Sequence, residues 1–269
     1  MSKVLRYAGL ALIACFFFLP ILWVLVSSLK TQSELFTYPL TILPAHPTLS
    51  NFSAALEDHA LLRYFGNSSF VAVVATLITI AINLMAGYAL SKYYFPGRDI
   101  IFYVMIGTLM IPLQAIMVPI FLLLKKLGML NTLWGVIIPP AATPTGIFLA
   151  RQYIMTIPNS LIEAARIDGA REGRIFRSVI VPLAKPIVAT LAIFSFMWRW
   201  NDFLWPFIVI SNKSKMTLQL ALANFVGQYQ INWASLLSLT VITMIPMVVV
   251  FLALQKYFVT GLTAGGVKF

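Results

Sequence analysis

The chain has 269 residues, 60% hydrophobic and 10% charged, with 19 Lys and Arg against 8 Asp and Glu and a net charge of +11. Its mean hydropathy is +0.91. Soluble domains run about 45–50% apolar and about 25% charged, so composition excludes an ordinary soluble domain and makes this a membrane protein. The basic residues are spread over several loops, which argues against nucleic acid and for loops that set membrane topology. One cysteine, Cys15, lies inside an apolar run and excludes a disulfide framework.

A spanning helix needs roughly 20 mostly apolar residues. The first such stretch, 7–26, follows Lys3 and Arg6 as a signal peptide would. It is longer than the roughly 7–15 apolar residues of a signal and no A-x-A site follows, so it reads as an uncleaved helix. Residues 29–66, with Pro39, Pro44 and Pro47 and the only two histidines, His46 and His59, read as an irregular loop. Spans are then expected at 70–90 and 100–124. The third contains Pro112, Gln114 and Pro119, with Met110 and Met117 as packing residues. The fourth, 133–149, is the shortest and holds Pro139, Pro140, Thr143, Pro144 and Thr145.

Between the fourth and fifth spans the character changes. Residues 160–186, "SLIEAARIDGAREGRIFRSVIVPLAKP", gather charge into a helix-friendly segment. Ser160 and Glu163 fit an S-x-x-E capping box, a short helix over 161–168 is closed by Gly169, and a second helix is expected over 171–181 with Pro182 ending it. Ile175, Phe176, Val179 and Ile180 then share one apolar face. On residues alone, a docking element and an amphipathic loop lying on lipid are equally good readings.

The fifth span is expected over 186–206 and carries "MWRWNDFLWP". Polar groups inside a bilayer are costly and usually face protein or a water-filled path. Arg199 and Asp202, i,i+3 on a helix, are expected to pair. Trp198, Trp200 and Trp205 read either as an interfacial aromatic belt or, with Asn201 and Asp202, as the lining of a translocation path. Gln114 and Thr143 are further candidates for a solute path, against a role in interhelical packing. A second loop, 211–235, is rich in Asn and Gln, and the sixth span is 236–258.

The sequence thus predicts an all-α integral membrane protein, one transmembrane domain over 1–269 with six transmembrane helices. With the N-terminus inside, the cytoplasmic side holds twelve basic residues (Lys3, Arg6, Lys92, Arg98, Arg151, Arg166, Arg171, Arg174, Arg177, Lys185, Lys256, Lys268) and the opposite side six (Lys30, Arg63, Lys125, Lys126, Lys213, Lys215). That bias puts both termini in the cytoplasm.

"EAARIDGA", followed by Phe176 and "VPLAKP", resembles the EAA loop of permease subunits in bacterial ABC importers. "GYALSKYYFPGR", "WNDFLWP" and the C-terminal "GLTAGGVKF" are similar to stretches of carbohydrate-type, maltose-transporter-like permeases. The resemblance implies that 160–186 is a cytoplasmic coupling loop, with Glu163, Ala164, Ala165, Asp168, Gly169, Ala170 and the adjoining Arg171 set against an ATPase. It implies that the tail, Gly265, Gly266 and Lys268, reaches into that ATPase. It further implies a bacterial inner-membrane location and several partners: a second, different permease subunit, two ABC ATPase subunits and an external solute-binding protein. ATP and Mg would be bound by the ATPase partners and no cofactor by this chain. The expected cargo is a sugar or sugar derivative delivered by the binding protein, with glycerol phosphate or another polar solute as alternatives.

An ion-driven secondary transporter is a weaker reading, because only Asp202 offers an intramembrane carboxylate. Catalysis by the chain itself is not expected. A Walker A loop needs Gly-Lys, which never occurs in the sequence, and H-E-x-x-H, G-x-S-x-G and zinc-spaced cysteines are also absent.

Overall fold

The computed structural model describes residues 3–57, 59–226 and 231–264. Among these, all regular structure is helical. Helix α1, Lys3–Ser27, is followed by a loop with one 3-10 turn, Glu34–Phe36, and by the short α2, Ser50–Glu57. The buried Lys30 pins that loop: its Nζ donates to the Thr41 carbonyl and lies 5.6 Å from the Trp23 ring centre. Helix α3, His59–Lys92, is longer than the 70–90 expected because residues 59–69 and 91–92 are helical as well.

The expected third span is bent. Helix α4, Arg98–Gly107, tightens into a 3-10 turn at Thr108–Met110 and meets α5, Leu113–Lys126, at 105°. Pro112 causes the break, since it has no N–H and forces the preceding residue out of helix; Ile111 is extended at φ −84°, ψ 117°. The expected fourth span is likewise divided. Helix α6, Leu133–Ile137, stops before Pro139 and Pro140, and α7, Pro144–Met155, restarts with Thr143 as its cap and Pro144 in its first turn.

After α7 come α8, Asn159–Ile167, α9, Glu172–Ile175, a π turn at Phe176–Ile180 and α10, Val181–Leu183. Pro182 does not end the helix as expected. The wider i→i+5 turn accommodates its ring, and the chain bends by 80° only at Ala184, into α11, Lys185–Trp200. Helix α12, Leu204–Val209, α13, Leu218–Val226, and α14, Trp233–Ala264, complete the chain.

Among the described residues three helices are each long and apolar enough to cross a membrane, Lys3–Ser27, Ala60–Lys92 and Trp233–Tyr257, and counting each bent pair as one span gives up to five. The remaining expected span, the fourth at 133–149, is the one that Pro139 and Pro140 divide. Helix α3 is the axis of the bundle. It packs on α7 and α11, and Val71, Ala72, Ala75 and Asn83 are fully or almost fully buried along it. Helix α1 touches α14 and otherwise exposes Leu12, Phe16 and Phe17, as a helix facing lipid or another apolar chain does.

Candidate functional site

The charged segment begins where α7 ends. Pro158 sets extended backbone at φ −60°, ψ 135°, so α8 starts at Asn159 and Ser160 already lies inside its first turn. The expected Ser160–Glu163 capping box is therefore not formed, and no side chain caps α8. Lys92, the last residue of α3, ties down the entry instead. Its Nζ donates to Ile157 O at 2.5 Å and to Asn159 Oδ1 at 2.8 Å.

Helix α8 has two faces. Ile162 is buried and Ala165 half-buried in a cluster with Leu84, Tyr88, Ile154, Ile175 and Ile180. Leu161, Glu163, Ala164, Arg166 and Ile167 are exposed, Ile167 at 87%. The helix closes at Gly169, as its sequence predicts. Gly169 has φ +77°, its N–H donates to Arg166 O at 3.0 Å, and the Ala170 N–H reaches Ala165 O at 2.9 Å. This is a Schellman closure, which needs a left-handed residue at that position. Glu163, Ala164, Asp168, Gly169 and Arg171 thus stand on one exposed knob, with Ala165 and Ala170 half-buried at its base. Leu161 and Ile167 were not singled out in the sequence. The available signal was two large apolar residues on the charged face of a nine-residue helix.

The apolar ridge after the turn is as predicted. Ile175 and Ile180 are fully buried, and Phe176 and Val179 pack against the same cluster. The exposed Glu172 joins knob to bundle: its carboxylate accepts from the hydroxyls of Tyr93 and Tyr88 (the latter at 3.2 Å) and from Arg166 Nε at 2.9 Å. The Tyr93 hydroxyl, then Arg166, hold the Glu172 carboxyl below its ordinary range, and the hydrogen bond to Glu172 raises the Arg166 guanidinium.

A cleft of about 260 Å³ opens where α3, α7 and α11 meet, lined among others by Thr79, Thr143, Thr145, Ser195, Phe194 and Trp198. Thr143 is held by Asn83, whose Nδ2 donates to Thr143 Oγ1 at 2.8 Å. Among the described residues the buried hydroxyls of Thr79 and Ser195 have no hydrogen-bond partner. The rings of Phe194 and Trp198 lie 6.1 Å apart, and Trp198 is half exposed.

Comparison with known proteins agrees with this architecture. Residues 80–263 match the family described as the binding-protein-dependent transport system inner membrane component. The chain belongs to that family. The arabinooligosaccharides transport system permease protein AraQ of Halalkalibacterium halodurans is 37% identical over 97% of this chain and 94% of its own length. The melibiose/raffinose/stachyose import permease protein MelC of Bacillus subtilis is 36% identical over 96% of this chain and 94% of its own. A chain in the crystal structure of a bacterial ABC transporter that imports the acidic polysaccharide alginate superposes with a TM-score of 0.85 at 25% identity, covering 96% of this chain and 99% of that one. The protein is a transmembrane permease subunit of an ABC importer.

In this permease the other candidate residues are dispersed. Trp200 is 1% exposed; its ring stacks on Phe196 and meets Phe65 edge-on, and its Nε1 donates to Thr243 O at 2.9 Å. It presents no open face in this conformation. Arg199 and Asp202 do not form the expected ion pair. Helix α11 stops at Trp200, so the helical i,i+3 geometry never arises. Arg199 instead donates to the Pro140 carbonyl in the break between α6 and α7, and Asp202 Oδ1 accepts from Trp205 N at 3.2 Å at the start of α12. Asn201 is exposed and donates to Met197 O at 2.9 Å, and Gln114 is exposed on α5. Gly265, Gly266 and Lys268 lie outside the described residues.

Proposed function

We propose that this permease carries a sugar or oligosaccharide across the bacterial inner membrane, driven by ATPase subunits that dock on the knob at 159–171. Both termini and the knob lie in the cytoplasm, and the 80° bend at Ala184 is where the chain turns from the membrane surface into the bilayer. An external binding protein delivers the solute, and a second, different permease completes the path. The catalytic chemistry belongs to the ATPase partners, which hold ATP and Mg. Glu163, Asp168 and Arg171 meet the ATPase through charge, and Leu161, Ala164 and Ile167 through apolar contact. The solute path runs by Thr143 and the cleft beside it, with Gln114, Asn201 and Asp202 facing the partner permease, while Trp200 supports the wall.

The observation that carries this reading is the asymmetry of α8. One face is locked into the protein's own core, and the other leaves Ile167 uncovered beside a ring of charge. Exposed apolar groups rimmed by charge mark a surface awaiting a partner. The family assignment and the names of the sugar-importing relatives support the rest. ATP binding acts by preferring one of two permease states, as any ligand-driven shift requires.

The test is purification in mild detergent after co-expression with the neighbouring genes, then reconstitution in vesicles. Uptake of labelled oligosaccharide should require ATP at the knob side and binding protein on the other. Uptake driven by an ion gradient, with ATPase absent, overturns the reading.

A further inference from the structure

We propose that Glu172 is a positioning residue whose carboxylate locks the ATPase-facing knob to the end of α3, delivering knob movement to the wall of the solute cleft. The inference rests on the coupling role proposed above and adds a residue to it. Glu172 Oε2 accepts from the Tyr88 hydroxyl at 3.2 Å and from the Tyr93 hydroxyl, and Oε1 accepts from Arg166 Nε at 2.9 Å. Tyr88 belongs to α3 and Tyr93 follows its last residue, whereas Arg166 belongs to α8 and Glu172 opens α9. One carboxylate therefore joins three elements.

The donors are themselves fixed. Tyr88 is buried, its ring meets Tyr93 edge-on at 5.3 Å, and it lies 5.7 Å from Phe176 on the π turn. Swinging either hydroxyl away would open that packing. The apolar grip of Ile162, Ile175 and Ile180 holds the knob to the bundle, but burial is not directional and tolerates rotation. Charge-assisted hydrogen bonds are short and directional, so they set the knob's angle.

Helix α3 leads from this clamp to the cleft. At 1.5 Å rise per residue, Asn83 stands about 7 Å and Thr79 about 13 Å from the level of Tyr88. Asn83 holds Thr143, and Thr79 and Thr143 line the cleft. Arg166 and Glu172 keep 45% and 47% of their side-chain surface exposed. Ion pairs that open to solvent add little to fold stability, so the clamp is better suited to orientation than to holding the fold together.

The experiment uses the complete complex, reconstituted in vesicles with its ATPase, partner permease and binding protein, and reads uptake of a radiolabelled arabino-oligosaccharide per ATP hydrolysed. The double variant Tyr88→Phe/Tyr93→Phe keeps both rings and removes the hydroxyls; Glu172→Gln removes the charge. Each should retain ATPase at parental yield and continue to hydrolyse ATP, with uptake per ATP reduced about five- to tenfold. Glu172→Asp, which keeps the charge, should lose less. An unchanged ratio in both test variants overturns the proposal. So does loss of ATPase from the variants at unchanged permease yield, which would make the cluster a docking contact. Failure of both variants to reach the membrane overturns it too, by making the cluster a folding element. A parental complex that contains no ATPase sinks the coupling role itself, and is seen without any substitution.

Discussion

Asn83 and Thr143 hold each other through two hydrogen bonds: Asn83 Nδ2 donates to Thr143 Oγ1 at 2.8 Å, and Thr143 N donates to Asn83 Oδ1 at 3.2 Å. The Thr143 hydroxyl also accepts from Gly146 N at 3.2 Å, capping α7. A fully buried amide on α3 thus stabilises the restart of the helix after the Pro139–Pro140 break. Interhelical hydrogen bonds in membranes average about 0.6 kcal/mol. Leaving buried donors unmatched costs more, about 1–3 kcal/mol.

Asn83→Ala should therefore destabilise the permease by about 1–3 kcal/mol, the unmatched Thr143 N–H outweighing the lost bonds. Thermal unfolding in detergent measures this as a lower midpoint. A parental midpoint would mean that the pair carries no energy.

Gly146 sits against the same pair. An added Cβ would stand 2.0 Å from Asn83 Nδ2 and 2.5 Å from Thr143 Oγ1, closer than real atoms approach. Gly146→Ala should be more damaging than Asn83→Ala, by roughly 1–3 kcal/mol of overpacking. In the Asn83→Ala background the nearest clash is gone, so the two losses should sum to less than their separate values when measured as a cycle of unfolding midpoints. Strict additivity would remove the contact from the account.

Gly169 raises a different question, because nothing lies within 4 Å of an added Cβ. Only the left-handed backbone resists substitution, at about 1–2 kcal/mol for an ordinary L residue. Gly169→Val should insert normally yet lower ATP-coupled uptake sharply, whereas Gly169→Asn, which tolerates this conformation, should retain most of it. Parental uptake by the Val variant would count heavily against a docking role for the knob.

Ile167→Glu tests the uncovered face directly. Since Ile167 is 87% exposed, the permease alone should keep its unfolding midpoint to within about 0.5 kcal/mol. Burying a carboxylate in a partner's apolar pocket, however, should reduce co-purifying ATPase by about tenfold or more. Full ATPase recovery would place the docking contact elsewhere.

How much of this was legible beforehand depends on the range of the interactions. Gly169 closes α8 through hydrogen bonds to residues three and five positions back, and the ridge of Ile175 and Ile180 follows from helical spacing, so both were read correctly. Ser160 was misread by one local detail, the extended Pro158 that starts α8 two residues earlier. Arg199 was misread because its partner, the Pro140 carbonyl, lies 59 residues away, and Glu172 was passed over because Tyr88 is 84 residues distant.

The sequence by itself determined the membrane class, the rough positions of the long apolar helices and the charged knob. Each follows from composition or from forces acting within a turn or two of the backbone. Tertiary structure alone decided the 105° angle at the Pro112 break, that Trp200 is walled in, that Asn83 holds Thr143, the cap of α7, across the bundle, and that one carboxylate ties the knob to α3. Those outcomes depend on which surfaces meet when the helices pack, and side chains that are distant in the chain choose one another by shape and by the hydrogen bonds a dry interior requires.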